Sequence, residues 1–317
     1  MLLRTKGDWF PAPMLATFAL FASLSFWING VGLYPYLGVE VMIWVIYALG
    51  FNLLLGYGGL PSFGHGAFFG VGAYAFGLAQ LHLAPNLWLC LAAAILAGGL
   101  AGALVACFIS HRRGIYYALL TIAFGQIFWF VAIKWHSVTR GEDGLLNIRR
   151  PAFLDSLDSL YWFCFAVFVV VVILLWRLVN APFGRVLSAI RQNETRARFV
   201  GHHVWLYKWL AFVISTLIAG LAGGLFALAQ QSAYPNVMSL HQSGFVVMMV
   251  LVGGGLVSFW GPVIGAVLFF LARDLLGAYT EAWLLWYGLV FMAIVLFRPE
   301  GLAGIFKLPH VRSKPAA

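Results

Sequence analysis

The segment Tyr161–Trp176 reads YWFCFAVFVVVVILLW and contains no charged residue. Inside lipid, only α-helices and closed barrels satisfy their own backbone groups, and a barrel strand would alternate polar and apolar residues. Because this segment is apolar at every position, it predicts a membrane-spanning helix. Similar apolar runs of roughly 20 residues recur along the chain, which is the length that an α-helix needs to cross the hydrocarbon layer.

The composition excludes a soluble globular domain. The chain has 317 residues, of which 63% are hydrophobic and 9% charged, whereas a soluble domain carries about 25% charged residues. We therefore expect an all-α integral membrane protein with about ten transmembrane helices; the third, eighth and ninth are short and rich in glycine and could be broken or re-entrant. The predicted spans are 14–34, 38–56, 66–83, 87–109, 115–133, 160–179, 208–230, 244–258, 261–277 and 283–297.

The distribution of charge predicts the orientation of the helices. The net charge is +9, and most Lys and Arg residues lie in alternate connections, which the positive-inside rule places in the cytoplasm. The other connections hold most acidic residues, including Glu40. Both termini are then cytoplasmic, and the basic charge gives no indication of nucleic-acid binding. We expect one transmembrane domain over 1–317, with a cytoplasmic tail at 1–13, a cytoplasmic loop at 177–208 and a second tail at 298–317.

Two glycine-rich segments resemble each other. The segment Gly58–Phe63 matches Gly254–Phe259 at five of six positions, and each lies between apolar spans. Transporters are often built from repeats whose interrupted helices line the substrate path. The match predicts an internal repeat, although abundant Gly, Leu, Ser and Phe could also produce it by chance. Six spans between equivalent points imply a parallel repeat, and a difference of one span would make it inverted.

The glycine-rich segments are candidates for a translocation path, because backbone can leave the helical pattern at membrane depth only where protein or a water-filled cavity satisfies it. The alternative is close helix packing through small residues, such as Gly66, Gly70 and Ala73. A neutral His65 bonded to a backbone carbonyl is the alternative to a functional histidine. The candidate path residues are Gly58, Gly59, Ser62, Gly64, His65, Gly66, Gly254, Gly255, Ser258 and Gly261.

The segment Phe183–Gly201 predicts an amphipathic helix, with apolar residues at roughly helical spacing between basic ones. Such a helix either lies on anionic lipid or docks on a partner protein, and its pattern alone leaves both open. Adjacent Arg273 and Asp274 predict local pairing or snorkelling. The sequence contains no phosphate-binding loop and no zinc or nucleophile motif, so we expect no enzyme activity, no metal and no bound cofactor.

Several sequence motifs occur in a fixed order over roughly residues 38–306. They are Gly56–Tyr74, Arg113–Phe124, the turn Thr139–Leu145, Phe183–Gly201 followed by Tyr207–Phe212, Gly220–Leu225, Gly253–Gly265 and Arg298–Leu302. In these motifs the chain resembles the LivM-type permeases of branched-chain amino acid ABC importers. Arg140 departs from the Thr-Gly-Gly that this family usually has in the turn, and Pro61 stands where the family often has a small or polar residue.

The resemblance implies an ABC importer permease fold and a set of partners. These are a second, homologous permease, two cytoplasmic ATPases that bind ATP, and a periplasmic solute-binding protein, all at the bacterial inner membrane. It also implies that the cytoplasmic segment couples to the ATPases, through Arg191, Glu194, Ala197 and Gly201. A urea or short-chain amide permease is the close alternative. A secondary transporter is more distant, because no intramembrane acid is evident for a coupling ion.

Overall fold

The computed structural model describes residues 12–27, 34–256, 258–297 and 301–304. Its α-helices are α1 (Ala12–Trp27), α2 (Pro35–Asn52), α3 (Gly66–His82), α4 (Leu87–Ile109), α5 (Gly114–Lys134), α6 (His136–Thr139), α7 (Leu157–Asn180), α8 (Pro182–Gln192), α9 (Glu194–Phe199), α10 (Val204–Gln230), α11 (Leu240–Gly253), α12 (Gly261–Gly277) and α13 (Trp283–Phe297). A helix lies at each of the ten predicted spans, so the predicted all-α architecture is confirmed. The predicted tail at 298–317 falls almost wholly outside the described residues, as does most of 1–13, whose last two residues instead begin α1.

Five helices are long and apolar enough to cross a membrane by themselves: α2 with its continuation to Gly58, α4, α5, α7 and α10. The remaining predicted spans are shorter. The eighth is shifted from its prediction of 244–258, since α11 runs from Leu240 to Gly253. The Ser239 side chain accepts a hydrogen bond from the Gln242 amide at its start, and Gly254 ends it in the left-handed conformation, with φ of 88°.

Glycines bring α3, α4 and α10 into backbone contact at the centre of the bundle. A Cβ on Gly72 of α3 would lie 2.5 Å from the Gly220 Cα of α10, and one on Gly98 of α4 would lie 2.8 Å from the same atom. A Cβ on Gly223 would lie 1.9 Å from the Phe69 carbonyl oxygen. Small residues permit this approach, which stabilises helix pairs where no hydrophobic effect acts between them.

Helix α2 is the buried axis of the molecule. Its most apolar window is wholly buried inside the protein, and α7, α10, α11 and α12 pack around it. It continues as one stretch of π-helix, Leu53–Gly58, and stops at Gly59, whose φ is 64°. A π-helix inside a longer helix commonly marks a functional position.

Helix α3 begins inside the bundle rather than at its end. The residue before it, His65, lies with its Nε2 3.0 Å from the Oγ of Ser215, near the middle of α10. The chain therefore re-enters the bundle between Gly59 and Gly66. The third span, which could have been broken or re-entrant, is itself continuous from Gly66 to His82, and the interruption lies between α2 and α3.

The two glycine-rich breaks have the same length but a different register from the sequence match. In each, a left-handed glycine (Gly59 or Gly254) is followed seven residues later by the first glycine of the next helix (Gly66 or Gly261). The sequence match had instead paired Gly58 with Gly254, which is one residue off. A sequence match aligns positions that share a residue type, whereas the position of a backbone break depends on which glycine adopts a positive φ.

The two ends of the bundle differ in chemistry. One end, here the basic end, carries α8 and α9 together with Arg112, Arg113 and Lys208. At the opposite end the connection after α6 is tied down, because Leu145 and Ala233 exchange two backbone hydrogen bonds of 2.9 and 2.8 Å. The side chain of Gln80 also bonds both backbone groups of Arg149.

We predict that Gly223→Ala destabilises the protein by about 1–3 kcal/mol, because the added methyl group would overpack the α3–α10 contact. The matched control is Gly244→Ala on α11, where a Cβ meets nothing within 4 Å. Thermal unfolding in detergent should show a lower melting temperature for the first variant and little change for the second. Equal melting temperatures would contradict the close-packing account.

Candidate translocation and coupling site

The two glycine-rich breaks meet at the basic end of the bundle. A Cβ on Gly56 would lie 2.6 Å from the Gly255 carbonyl oxygen, so the two segments are in backbone contact. Arg191 of α8 donates from Nη1 to the Gly56 carbonyl and, at 2.9 Å, to the Leu256 carbonyl. The α2 and α11 ends therefore both reach the basic end of the bundle, where one side chain bonds them.

Asn52 occupies the junction between the two breaks. A Cβ on Gly56 would lie 2.2 Å, and one on Gly255 2.5 Å, from its Oδ1. Its side chain is 1% exposed, and neither Oδ1 nor Nδ2 has a hydrogen-bond partner among the described residues. Buried amides are normally satisfied, so this one is available to a group that enters the junction. Its signal in the sequence is the one side-chain amide of α2.

Backbone groups between Gly59 and Gly66 find side-chain partners on other helices. The Phe63 amide donates to Thr121 Oγ1 at 3.1 Å, and the Gly66 amide donates to Ser243 Oγ at 2.9 Å. The hydroxyl of Ser62 is fully buried and has no partner in the described part of the chain. The sequence analysis did not identify Thr121 or Ser243 as partners of these amides, since a single Ser or Thr within an apolar span gives no periodic pattern.

The candidate path residues fall into two groups. Gly58, Gly59, Gly254, Gly255 and Gly261 surround the junction at the basic end, and Ser258 is half-buried beside them. The others lie deeper in the bundle. Gly64 and Gly66 are packed directly against α5 and α11, with Cβ positions 1.8 Å from the Thr121 carbonyl oxygen and 2.7 Å from Ser243 Oγ respectively.

His65 lies in an aromatic cage and is fully buried. Ser215 donates its only hydroxyl proton to the Gly50 carbonyl at 2.7 Å, so the 3.0 Å contact between Ser215 Oγ and His65 Nε2 requires the histidine to be the donor. This places a proton on Nε2 and leaves Nδ1 without a partner among the described residues. The rings around it belong to Tyr47, Phe51, Phe68 and Phe212.

A cluster of charges holds α9 against the basic end. Glu194 forms salt bridges with Arg113 (2.9 Å), Lys208 (3.6 Å) and Arg198 (3.7 Å). The Lys208 side chain is 1% exposed and also donates to the Arg112 carbonyl at 2.7 Å. A buried ammonium group is costly unless it is paired, so Glu194 faces inwards and anchors the segment.

The rest of the α9 region divides into a buried and an exposed part. Ala197 is buried against Ile190 and Val204. Gly201 has φ of 96°, and a Cβ there would meet nothing within 4 Å, so backbone conformation alone accounts for glycine. Between these, Phe199 is 87% and Val200 73% exposed.

Comparison with known proteins decides the family. A family model described as the permease component of a branched-chain amino acid transport system matches residues 35–298. The chain belongs to this family. It is 30% identical over 288 residues to the high-affinity branched-chain amino acid transport system permease protein LivM of Salmonella typhimurium, with 82% of this chain and 68% of that protein covered. The Escherichia coli LivM is 29% identical over 303 residues, covering 87% of this chain and 71% of that protein.

A more distant relative, a probable LivM of Methanocaldococcus jannaschii, is 22% identical over 313 residues and covers 82% of this chain and 90% of that protein. No solved structure matches the chain. The family membership and the long apolar helices together make the chain a multi-pass membrane protein of a transport permease family.

In this permease the Arg140 departure falls on a strained position. Arg140 has φ of 61°, in the left-handed region, and it is followed by Gly141 at 63° and Gly144 at 67°. A glycine adopts this conformation at no steric cost, whereas other L-residues lose about 1–2 kcal/mol. The turn therefore keeps the positive φ values that suit glycine, although Arg140 occupies one of these positions.

An ion pair between α2 and α12 was missed by the sequence analysis. Arg273 does pair locally with Asp274, at 3.1 Å, as predicted, but it also forms two 2.8 Å hydrogen bonds with the Glu40 carboxylate. The assignment of Glu40 to an outer connection was wrong, because α2 begins at Pro35 and Glu40 is 9% exposed. The start of α2 has no charge pattern that could have shown this, since its partner lies 233 residues away.

We predict that Glu194→Gln loosens the α8–α9 segment, because it leaves Lys208 buried without a carboxylate partner. Amide hydrogen exchange over 182–203 should become at least about tenfold faster. The matched control is Arg198→Gln, which removes only the long, exposed pair at 3.7 Å and should change exchange little. If both variants exchange alike, Glu194 does not anchor the segment.

Proposed function

We propose that this chain is the membrane-spanning permease subunit of an ATP-driven importer that carries branched-chain amino acids across the bacterial inner membrane. Its basic end and both termini face the cytoplasm. The relatives named LivM support the solute, since they match along most of the chain. In this arrangement ATP is bound by two separate ATPase subunits, a second permease completes the pathway, and a periplasmic protein delivers the solute.

The observation that carries the proposal is the α8–α9 pair. This pair lies outside the long spans, and the ion pair between Glu194 and Lys208 holds it against the bundle. Two of its apolar side chains, Phe199 and Val200, are exposed. Exposed apolar side chains surrounded by basic ones are typical of a docking surface. The proposal assigns this surface to an ATPase subunit, so that movement of the ATPase reaches Arg191 and the two glycine-rich breaks.

Transport would then require the bundle to alternate between two discrete packings. The solute path would pass the junction around Asn52 and the surrounding glycines. A zwitterionic amino acid could be met there by backbone groups, helix ends and the unpaired Asn52 amide. Full charges are absent from this junction among the described residues apart from Arg191, which suits a solute of no net charge.

The test is purification of the tagged chain from its native membrane, followed by reconstitution of the recovered complex into proteoliposomes. We expect ATPases and a second permease to co-purify, and we expect ATP-dependent uptake of labelled leucine that valine and isoleucine inhibit. Uptake of urea or acetamide instead would replace the proposed solute. Uptake without ATP, by the chain alone, would overturn the importer function and favour a secondary transporter.

We predict that Phe199→Asp reduces ATP-dependent uptake by at least about tenfold, because it places a carboxylate in an apolar docking contact. Thr195→Asp is the matched control, since it adds the same charge to an exposed position of the same helix. Recovery of ATPase in detergent should fall for the first variant only. If recovery is unchanged while membrane vesicles lose uptake, α9 instead rests on lipid.

A further inference from the structure

Arg191 belongs to the segment expected to contact the ATPases and is exposed at the surface, yet its guanidinium bonds two backbone carbonyls of the bundle. Its Nη1 donates to the Gly56 carbonyl of the first break and to the Leu256 carbonyl of the second. Gly59 makes room for its aliphatic stem, since a Cβ there would lie 2.8 Å from the Arg191 Cγ. One side chain on α8 therefore joins the ends of two helices, α2 and α11, that are far apart in the sequence.

The Gly56 carbonyl needs this donor. Four residues later, the Leu60 amide is already used by the Leu54 carbonyl at 3.0 Å. Five residues later stands Pro61, which has no amide proton to donate. The end of α2 thus leaves an orphan carbonyl at the point where the helix dipole is negative, and a guanidinium is a favourable partner for it.

The second break is held from a further side. The Gly254 backbone contacts Gly301, whose Cβ position would lie 2.4 Å from the Gly254 Cα and 2.7 Å from the Leu251 carbonyl oxygen. Gly254 therefore has little room to move towards the carboxyl-terminal segment. Separation of the two breaks from each other would instead break the contacts of Arg191.

We infer that Arg191 is a latch: it holds the ends of α2 and α11 together at the basic end, and displacement of α8 releases both at once. The inference rests on the proposed transport function, because a latch has a role only where two packings alternate. It makes Arg191 a positioning residue for the breaks rather than a contact for the ATPase. Sequence resemblance had placed it in the ATPase-coupling set together with Glu194, Ala197 and Gly201.

The latch is tested by access to Ser62, which is fully buried within the first break. In a background with Cys90, Cys107 and Cys164 replaced by Ala, Ser62→Cys serves as a reporter. Inside-out membrane vesicles containing the whole importer are treated with a membrane-impermeant maleimide, without solute or ATP. Arg191→Ala should increase the rate of labelling by at least about tenfold, because two charge-assisted hydrogen bonds are lost.

Two further variants separate a latch from a general loss of structure. Arg185→Ala, an exposed arginine on the same helix, should leave the labelling rate unchanged. Arg191→Lys should retain most of the protection, since one nitrogen makes both contacts and lysine also carries its donors on one nitrogen. If Arg191→Ala does not accumulate in the membrane, Arg191→Gln takes its place and should be labelled faster than Arg191→Lys.

Equal labelling rates for the Arg191 and Arg185 variants would overturn the latch. So would fast labelling of both Arg191→Lys and Arg191→Ala, since lysine keeps the charge and the donor. Leucine uptake is measured in the same vesicles. Absence of leucine uptake in matched vesicles that contain the unmodified chain would count against the proposed function, whereas the difference in labelling between variants would still decide the latch.

Discussion

Backbone groups that leave the helical pattern inside an apolar bundle must find partners within the protein, because lipid offers none. This constraint explains the arrangement around both breaks. The amides of Phe63 and Gly66 bond hydroxyl groups from α5 and α11, and the orphan carbonyl of Gly56 bonds Arg191. Each partner comes from a different helix, so satisfying the breaks also fixes how those helices pack around α2.

The glycines have two roles, close packing of helices and interruption of helices, which the sequence alone did not distinguish. Deep in the bundle, Gly64 and Gly72 let neighbouring backbones approach, with no space left for a side chain. At the basic end, Gly59 and Gly254 are required by their positive φ values. Packing and interruption were alternative interpretations of one composition, and the structure assigns them to different glycines of the same segments.

Much of the fold could be predicted from the sequence, because an apolar run of spanning length has few other structures available to it. The α4, α12 and α13 bounds agree with the predicted 87–109, 261–277 and 283–297. Less of the candidate site could be predicted from the sequence. Contacts such as Arg273 with Glu40, or Arg191 with Gly56, depend on which helices are neighbours, and a single sequence carries no signal for that. The sequence match aligned the two breaks one residue out of register, because several glycines are adjacent and their identity does not show which one adopts a positive φ.

The depth at which Glu194 meets Lys208 has a consequence for the conditions under which α9 stays in place. Mobile ions screen exposed charges over a Debye length of about 10 Å at 0.1 M salt, but they screen buried pairs far less. With the lysine 1% exposed, the attachment of α9 should persist from low to high ionic strength. The interactions of its exposed arginines, in contrast, should weaken as the salt concentration rises. The segment thus combines a fixed inner contact with an outer surface whose association with other molecules varies with salt.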